Sequence, residues 1–182
     1  MKVVDTRISD VKIIEPNVFG DDRGFFLETW SSAAFVNAGL NINFVQDNHS
    51  RSAQGVLRGM HYQIRHSQGK LVRCTIGEVF DVAVDLRQSS AHFGQWVGVV
   101  LSADNKRQLW VPPGFAHGFY VTSEIADFQY KCTDIYAPEH ERSLLWNDPA
   151  VGIDWPLLDG VATQLAVKDK AATVLSECEV FD

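Results

Sequence analysis

The sequence is poor in cysteine: Cys74, Cys132 and Cys178 stand far apart, without a Cys-x-x-Cys pair. An odd, scattered set argues against a disulfide framework and against a structural zinc site, and makes reduced thiols in a cytoplasmic protein the expectation. Long hydrophobic runs are missing too. No stretch is apolar enough to span a bilayer, and MKVVDTRISDVKIIEP at the start alternates charged and apolar positions without the apolar segment or small-residue cleavage site of a signal peptide. Positive charge is in short supply, with 16 Lys plus Arg against 23 Asp plus Glu, a formal charge of −7. Such a surface repels polyanions, so nucleic acid and anionic membranes are poor partners, and any phosphate recognition must be local. Low-complexity linkers and convincing repeats are also lacking, and 182 residues suit one domain over 1–182.

What the chain does have is apolar material: 46% hydrophobic residues and 11% aromatic, including five Trp, against 21% charged, enough for a substantial core. From Phe44 to Trp146, short apolar runs with period-two alternation recur between Gly, Pro, Asn and Ser, which predicts many short strands joined by turns. In EVFDVAVDLR, Phe80, Val82, Val84 and Leu86 share one strand face while Asp81, Ala83 and Asp85 share the other, as expected of a strand with one face in a core. Helical signals are few. SSAAFVNAGL offers Ser31 or Ser32 as N-cap and Gly39 as a stop, and KDKAATVL predicts a short terminal helix. The expected class is all-β, a sandwich, barrel or jelly roll with few short helices.

The most specific local feature is PPGFAHGF, residues 112–119, in which Pro112, Gly114 and His117 stand at Pro-x-Gly-x-x-His spacing; upstream, Gly55 precedes His61 by six residues. This ordered pair resembles the two motifs of the cupin jelly roll, a double-stranded β-helix. Metal-binding cupins usually carry His-x-His followed by Glu, whereas His61, Tyr62 and Gln63 stand here. An amide is a poor substitute for an imidazole ligand and two histidines are too few, so no metal is expected. The wider set DDRGFFLETW, FVQDNHS, GVLRGMHYQ, GKLV, DVAVDLR, PPGFAHGF, YKCTDIY, WNDP and VKDK, from about Asp21 to Lys170, resembles the dTDP-4-dehydrorhamnose 3,5-epimerase family. Two departures stand out: IRHSQ lacks the family's Pro pair and is one residue short, and LAVKD has Ala where Ser is more usual.

The resemblance implies epimerisation at carbons 3 and 5 of a dTDP-4-keto-6-deoxyhexose, converting dTDP-4-dehydro-6-deoxy-D-glucose to dTDP-4-dehydro-L-rhamnose. Single-carbon epimerisation is the alternative inside the family; a metal-dependent or non-catalytic sugar-binding cupin is the alternative outside it. A 4-ketone acidifies the protons on its neighbouring carbons. A base on one face, an acid on the other and a cation near the ketone oxygen then suffice, with no cofactor. By family position His61 is the base, Asp169 its orienting carboxylate, Tyr130 the proton donor and Lys70 the cation. Taken singly, a lone histidine, a helix-start aspartate, a strand tyrosine and a surface lysine are commonplace, and it is the motif context that singles them out.

Family position further points to Arg23 and Arg58 for the diphosphate, where a guanidinium is best suited. Glu28, Gln46, Asn48, His117, Glu141 and Lys168 match other substrate contacts, and Phe25, Phe26 and Tyr136 offer aromatic faces for thymine. Gln46 and Asn48, two apart, point to one side of their strand. Arg58 and His61 differ by three, so on a regular strand they face opposite ways. Either Gly59 permits a bulge, or Arg58 serves a neighbouring subunit's pocket. The family also implies a homodimer in which an N-terminal strand joins the partner's sheet and Arg23 reaches across. Arg23, Arg58, Lys70 and Lys168 are expected to converge on one barrel mouth with His61 and Tyr130.

Overall fold

The period-two runs fold as strands in a computed structural model that describes residues 1–182. One sheet holds six strands in the order β1 (Lys2–Asp5), β2 (Lys12–Glu15), β10 (Gln108–Val111), β7 (Lys70–Ile76), β12 (Ile125–Cys132) and β5 (Gln46–Ala53). A second holds five: β13 (Glu141–Ser143), β6 (Leu57–Gln63), β11 (Phe115–Val121), β8 (Glu78–Asp85) and β9 (Trp96–Ser102). The strands β3 (Val18–Asp21) and β4 (Gly24–Leu27) form a hairpin apart from both. From β5 to β13 the chain changes sheet at almost every step, and its ladders are antiparallel, which is the winding of a jelly roll. The strands begin at Lys2, well before Phe44, so the all-β expectation holds while its range was too narrow.

Two apolar layers organise the molecule. Val72, Val79, Ala83, Leu101, Leu109, Phe119 and Phe128 pack between the sheets. The outward side chains of the five-stranded sheet, among them Val82, Val84, Leu86 and Tyr120, are covered by Trp155, Leu158, Leu165, Leu175 and Phe181 of the C-terminal segment. Each fully buried leucine such as Leu86 or Leu57 contributes about 1.5–3 kcal/mol, so this covering layer is an adhesive contact and not a loose tail. Its consequence for β8 differs from the expectation of one buried face. The apolar face packs under the C-terminal segment, and the opposite face, with Asp81 and Asp85 at 0% exposure, is buried inside the barrel, where both carboxylates find partners.

The helix α1 (Ser32–Asn37) forms where its cap predicts: the Ser31 hydroxyl accepts from the Ala34 amide, and Phe35 is buried with Ile14, Leu71 and Trp110. The terminal helix is shorter than KDKAATVL suggests. Only α2 (Val167–Lys170) is α-helical, because Thr173 pairs with the end of β13, donating to Ser143 O and accepting from Leu145 N, and this extended pairing stops the helix before a single 3-10 turn at Leu175–Glu177. No helix is long and apolar enough to cross a membrane.

Candidate active site

A cleft of about 610 Å³ opens between the sheets. From the six-stranded sheet, β5 contributes Gln46, Asn48 and Ser50, β7 contributes Lys70, and β12 contributes Phe128 and Tyr130. From the facing sheet come Arg58 and His61 on β6, His117 and Phe119 on β11, and Glu141 on β13; Tyr136, Lys168 and Asp169 close the rim. Gln46 and Asn48 do share a side, and the Gln46 amide donates to Asn48 Oδ1 at 3.1 Å.

Arg58 and His61 reach the same cleft through a bulge. In the pairing of β6 with β11, His61 opposes His117 while Arg58 opposes Phe119, so Gly59 and Met60 stand against Gly118 alone, two residues against one. The slip falls at Gly59, whose φ of 134° suits glycine, and a Cβ there would meet Gly118 Cα at 2.5 Å. Of the two alternatives left open by the spacing, the bulge is the one observed.

Two histidines carry carboxylate partners. His61 Nε2 lies 2.6 Å from Asp169 Oδ1, a nearly inaccessible carboxylate supplied by α2, while the imidazole keeps 23% of its side chain exposed. His117 Nε2 lies 2.9 and 3.0 Å from the oxygens of Asp81, and both members are buried. Asp81 was not named for the site from the sequence; an aspartate facing away from the apolar run Phe80, Val82 and Val84 was the signal available. Burial pushes the Asp81 carboxyl above the usual carboxylate range, with His117 and Lys70 opposing that rise. Burial likewise pulls the Lys70 ammonium below its ordinary value, opposed by Cys132, Asp81 and Glu141. The Tyr130 phenol is pushed up by burial and therefore holds its proton at neutral pH.

At the rim, Glu141 accepts from Lys168 Nζ at 2.9 and 3.0 Å, and Tyr136 donates to the same carboxylate at 3.4 Å. Gln46 Oε1 accepts from the Tyr136 amide, tying the rim to β5. Ser50, Gln68, Phe119, Phe128 and Gln164 line the cleft as well and were not singled out from the sequence. Four expected site residues lie elsewhere. Arg23 is exposed beside the β3–β4 hairpin turn and bound to Asp21, Phe25 is 62% exposed with Lys106 over its ring, Phe26 is exposed on the same strand, and Glu28 is exposed just beyond β4. Three of the four cations thus converge on the cleft of this chain and Arg23 does not. No group of three or more His, Cys, Asp or Glu side chains is placed to hold a metal ion.

A family model for dTDP-4-dehydrorhamnose 3,5-epimerase matches residues 5–177. The chain is 61% identical over 182 residues to the dTDP-4-dehydrorhamnose 3,5-epimerase of Pseudomonas aeruginosa, covering 100% of this chain and 99% of that one. The solved structure of a dTDP-6-deoxy-D-glucose-3,5-epimerase from Legionella pneumophila, in complex with dTDP-4-keto-L-rhamnose, matches with a TM-score of 0.95 at 55% identity, over 98% of this chain and 94% of that one. A 3'-monoepimerase from Streptomyces bikiniensis in complex with dTDP-quinovose matches at 32% identity with a TM-score of 0.88, over 94% and 87% of the two chains.

Proposed function

The chain belongs to the dTDP-4-dehydrorhamnose 3,5-epimerase family and is an isomerase that inverts carbons 3 and 5 of a dTDP-4-keto-6-deoxyhexose; we propose that His61 and Tyr130 move the protons. The observation that carries this assignment is their placement on facing walls, His61 on β6 of one sheet and Tyr130 on β12 of the other. A pyranose ring held between them meets a base on one face and an acid on the other, as inversion at a carbon requires.

His61 takes the proton from the carbon beside the ketone. Asp169 holds the ring in one orientation and stabilises the imidazolium that forms. The electron pair moves onto the ketone oxygen, where the Lys70 ammonium meets the developing charge, and Asp81 counters the burial that draws Lys70 toward neutrality. Tyr130 then delivers its proton to the opposite face, and its raised pKa keeps that proton available until it is needed. Positioned acid–base groups each contribute about 10²- to 10⁴-fold, so loss of His61 outweighs loss of any rim contact.

Arg58 supplies local positive charge for the diphosphate in a chain whose formal charge is −7, Lys168 stands at the rim held by Glu141, and Tyr136 offers its face to the thymine. The β3–β4 hairpin exposes Phe19, Phe25 and Phe26 at 63%, 62% and 71%, apolar area that calls for a partner. A homodimer in which this hairpin enters the partner's cleft covers those rings and delivers Arg23, Phe25 and Glu28 to a second site. The three unpaired cysteines fit a cytoplasmic location.

Incubation with dTDP-4-keto-6-deoxyglucose in heavy water, followed by NMR, tests the function. Deuterium is expected at both carbons. Label at one carbon alone reassigns the chain to single-site epimerisation, the activity named for the Streptomyces bikiniensis relative, and no label with authentic substrate refutes the proton-transfer reading.

A further inference from the structure

We infer that Ser52 is a positioning residue that presents Arg58 to the diphosphate without cancelling its charge, an inference that rests on the reading of Arg58 as a phosphate ligand. On β5, Gln46, Asn48 and Ser50 are partly open to the cleft, whereas Ser52, next on the same face, is buried at 6% exposure. Its hydroxyl accepts from Arg58 Nε at 2.9 Å, across from one sheet to the other. Arg58 Nη2 makes a second, longer bond of 3.4 Å to the Arg51 carbonyl. A guanidinium carries five N–H donors; with two so engaged, the Nη1 pair and one on Nη2 are left for an anion.

The contrast with other arginines gives this arrangement its meaning. Arg51 is held by Asp127, Arg87 by Asp85 and Asp10, Arg107 by Glu15 and Arg142 by Glu179. Each of those guanidinium groups is fixed by a carboxylate that also neutralises it; Arg7 and Arg73, which bind the Trp96 carbonyl and the Gln129 amide oxygen instead, lie outside the cleft. Arg58 is fixed by a hydroxyl and a carbonyl, which orient the group and leave its full charge for the ligand. Orientation before binding also removes the ordering of a long side chain from the cost of association. The bulge at Gly59 turns Arg58 inward, and Ser52 selects its direction once inside.

The test is titration of thymidine diphosphate and of thymidine by calorimetry, with kcat and KM for the epimerisation, on the intact protein and four variants. Ser52→Ala is expected to weaken thymidine diphosphate about five- to tenfold, part of what one hydrogen bond to a charged group is worth, and to raise KM while kcat stays within about twofold. Ser52→Thr, which keeps the hydroxyl, restores the affinity. Ser52→Asp keeps an acceptor but adds a counter-charge, and is expected to bind more weakly than Ser52→Ala. Thymidine, without phosphates, binds all of them alike. If Arg58→Ala leaves thymidine diphosphate affinity unchanged, the reading of Arg58 itself fails. If Arg58→Ala weakens it while Ser52→Ala does not, or if Ser52→Ala weakens thymidine equally, the inference about Ser52 is overturned. Should Ser52→Asp fail to fold, Ser52→Ala against Ser52→Thr decides the matter.

Discussion

The cleft contains two histidine–carboxylate pairs of similar geometry, 2.6 Å for His61 with Asp169 and 2.9 Å for His117 with Asp81, and they differ in access and in origin. His61 retains 23% of its side-chain exposure and takes its carboxylate from 108 residues away, on a four-residue helix that reaches it only because the C-terminal segment docks on the outer face of the sheet. His117 retains 8% and pairs with an aspartate on the adjacent strand, so its partner is fixed by the ladder between β8 and β11. The same two side chains thus serve different ends. The open pair has access to a ligand, while the closed pair is a buried, hydrogen-bonded arrangement beside Lys70.

The sharpest way to break this contrast is to disable the carboxylate of the open pair. Asp169→Asn keeps the shape but presents an amide to the imidazole, and turnover is expected to fall by about a hundredfold or more, with a nearly unchanged melting temperature. Turnover within about threefold of the parent would make Asp169 a mere contact of α2. A smaller effect probes what the closed pair is for. Burial pulls Lys70 below its ordinary 10.5, so its charge is lost as pH rises through that lowered value, and activity falls on the alkaline side below 10.5. Lys70→Arg carries a charge that does not titrate in this range; the alkaline limb should move to higher pH, at a reduced rate. A limb that stays in place in the pH–rate profile shows that another group owns it.

Much of this was legible along the chain. Alternation with turn residues suffices for an all-β fold, and His61, Lys70, Tyr130 and Asp169 could be named from their motif surroundings. The remainder depends on contacts that one-dimensional spacing does not carry. Gly59 was visible as the place for a bulge, but whether Arg58 turned toward this cleft or another depended on the register of β6 against β11. Asp81 occupied the alternate positions of β8, and that face lies inside because the C-terminal segment covers the other one. The helix over KDKAATVL was cut short by the pairing of Thr173 with Ser143, a tertiary contact overriding local propensity. Arg23, Phe25 and Glu28 matched the motif, yet the β3–β4 hairpin and the residue just beyond it stand apart from both sheets and outside this chain's cleft, a placement that motif spacing does not encode.

Exchange of the sugar protons in heavy water, compared between His61→Asn and His117→Gln, tests the division of labour between the two pairs most directly. His61→Asn should lose deuterium incorporation at both carbons while remaining folded, and His117→Gln should incorporate deuterium at both carbons at a reduced rate. Incorporation that survives in His61→Asn and vanishes in a folded His117→Gln would contradict the assignment and make the buried pair the proton-transfer site.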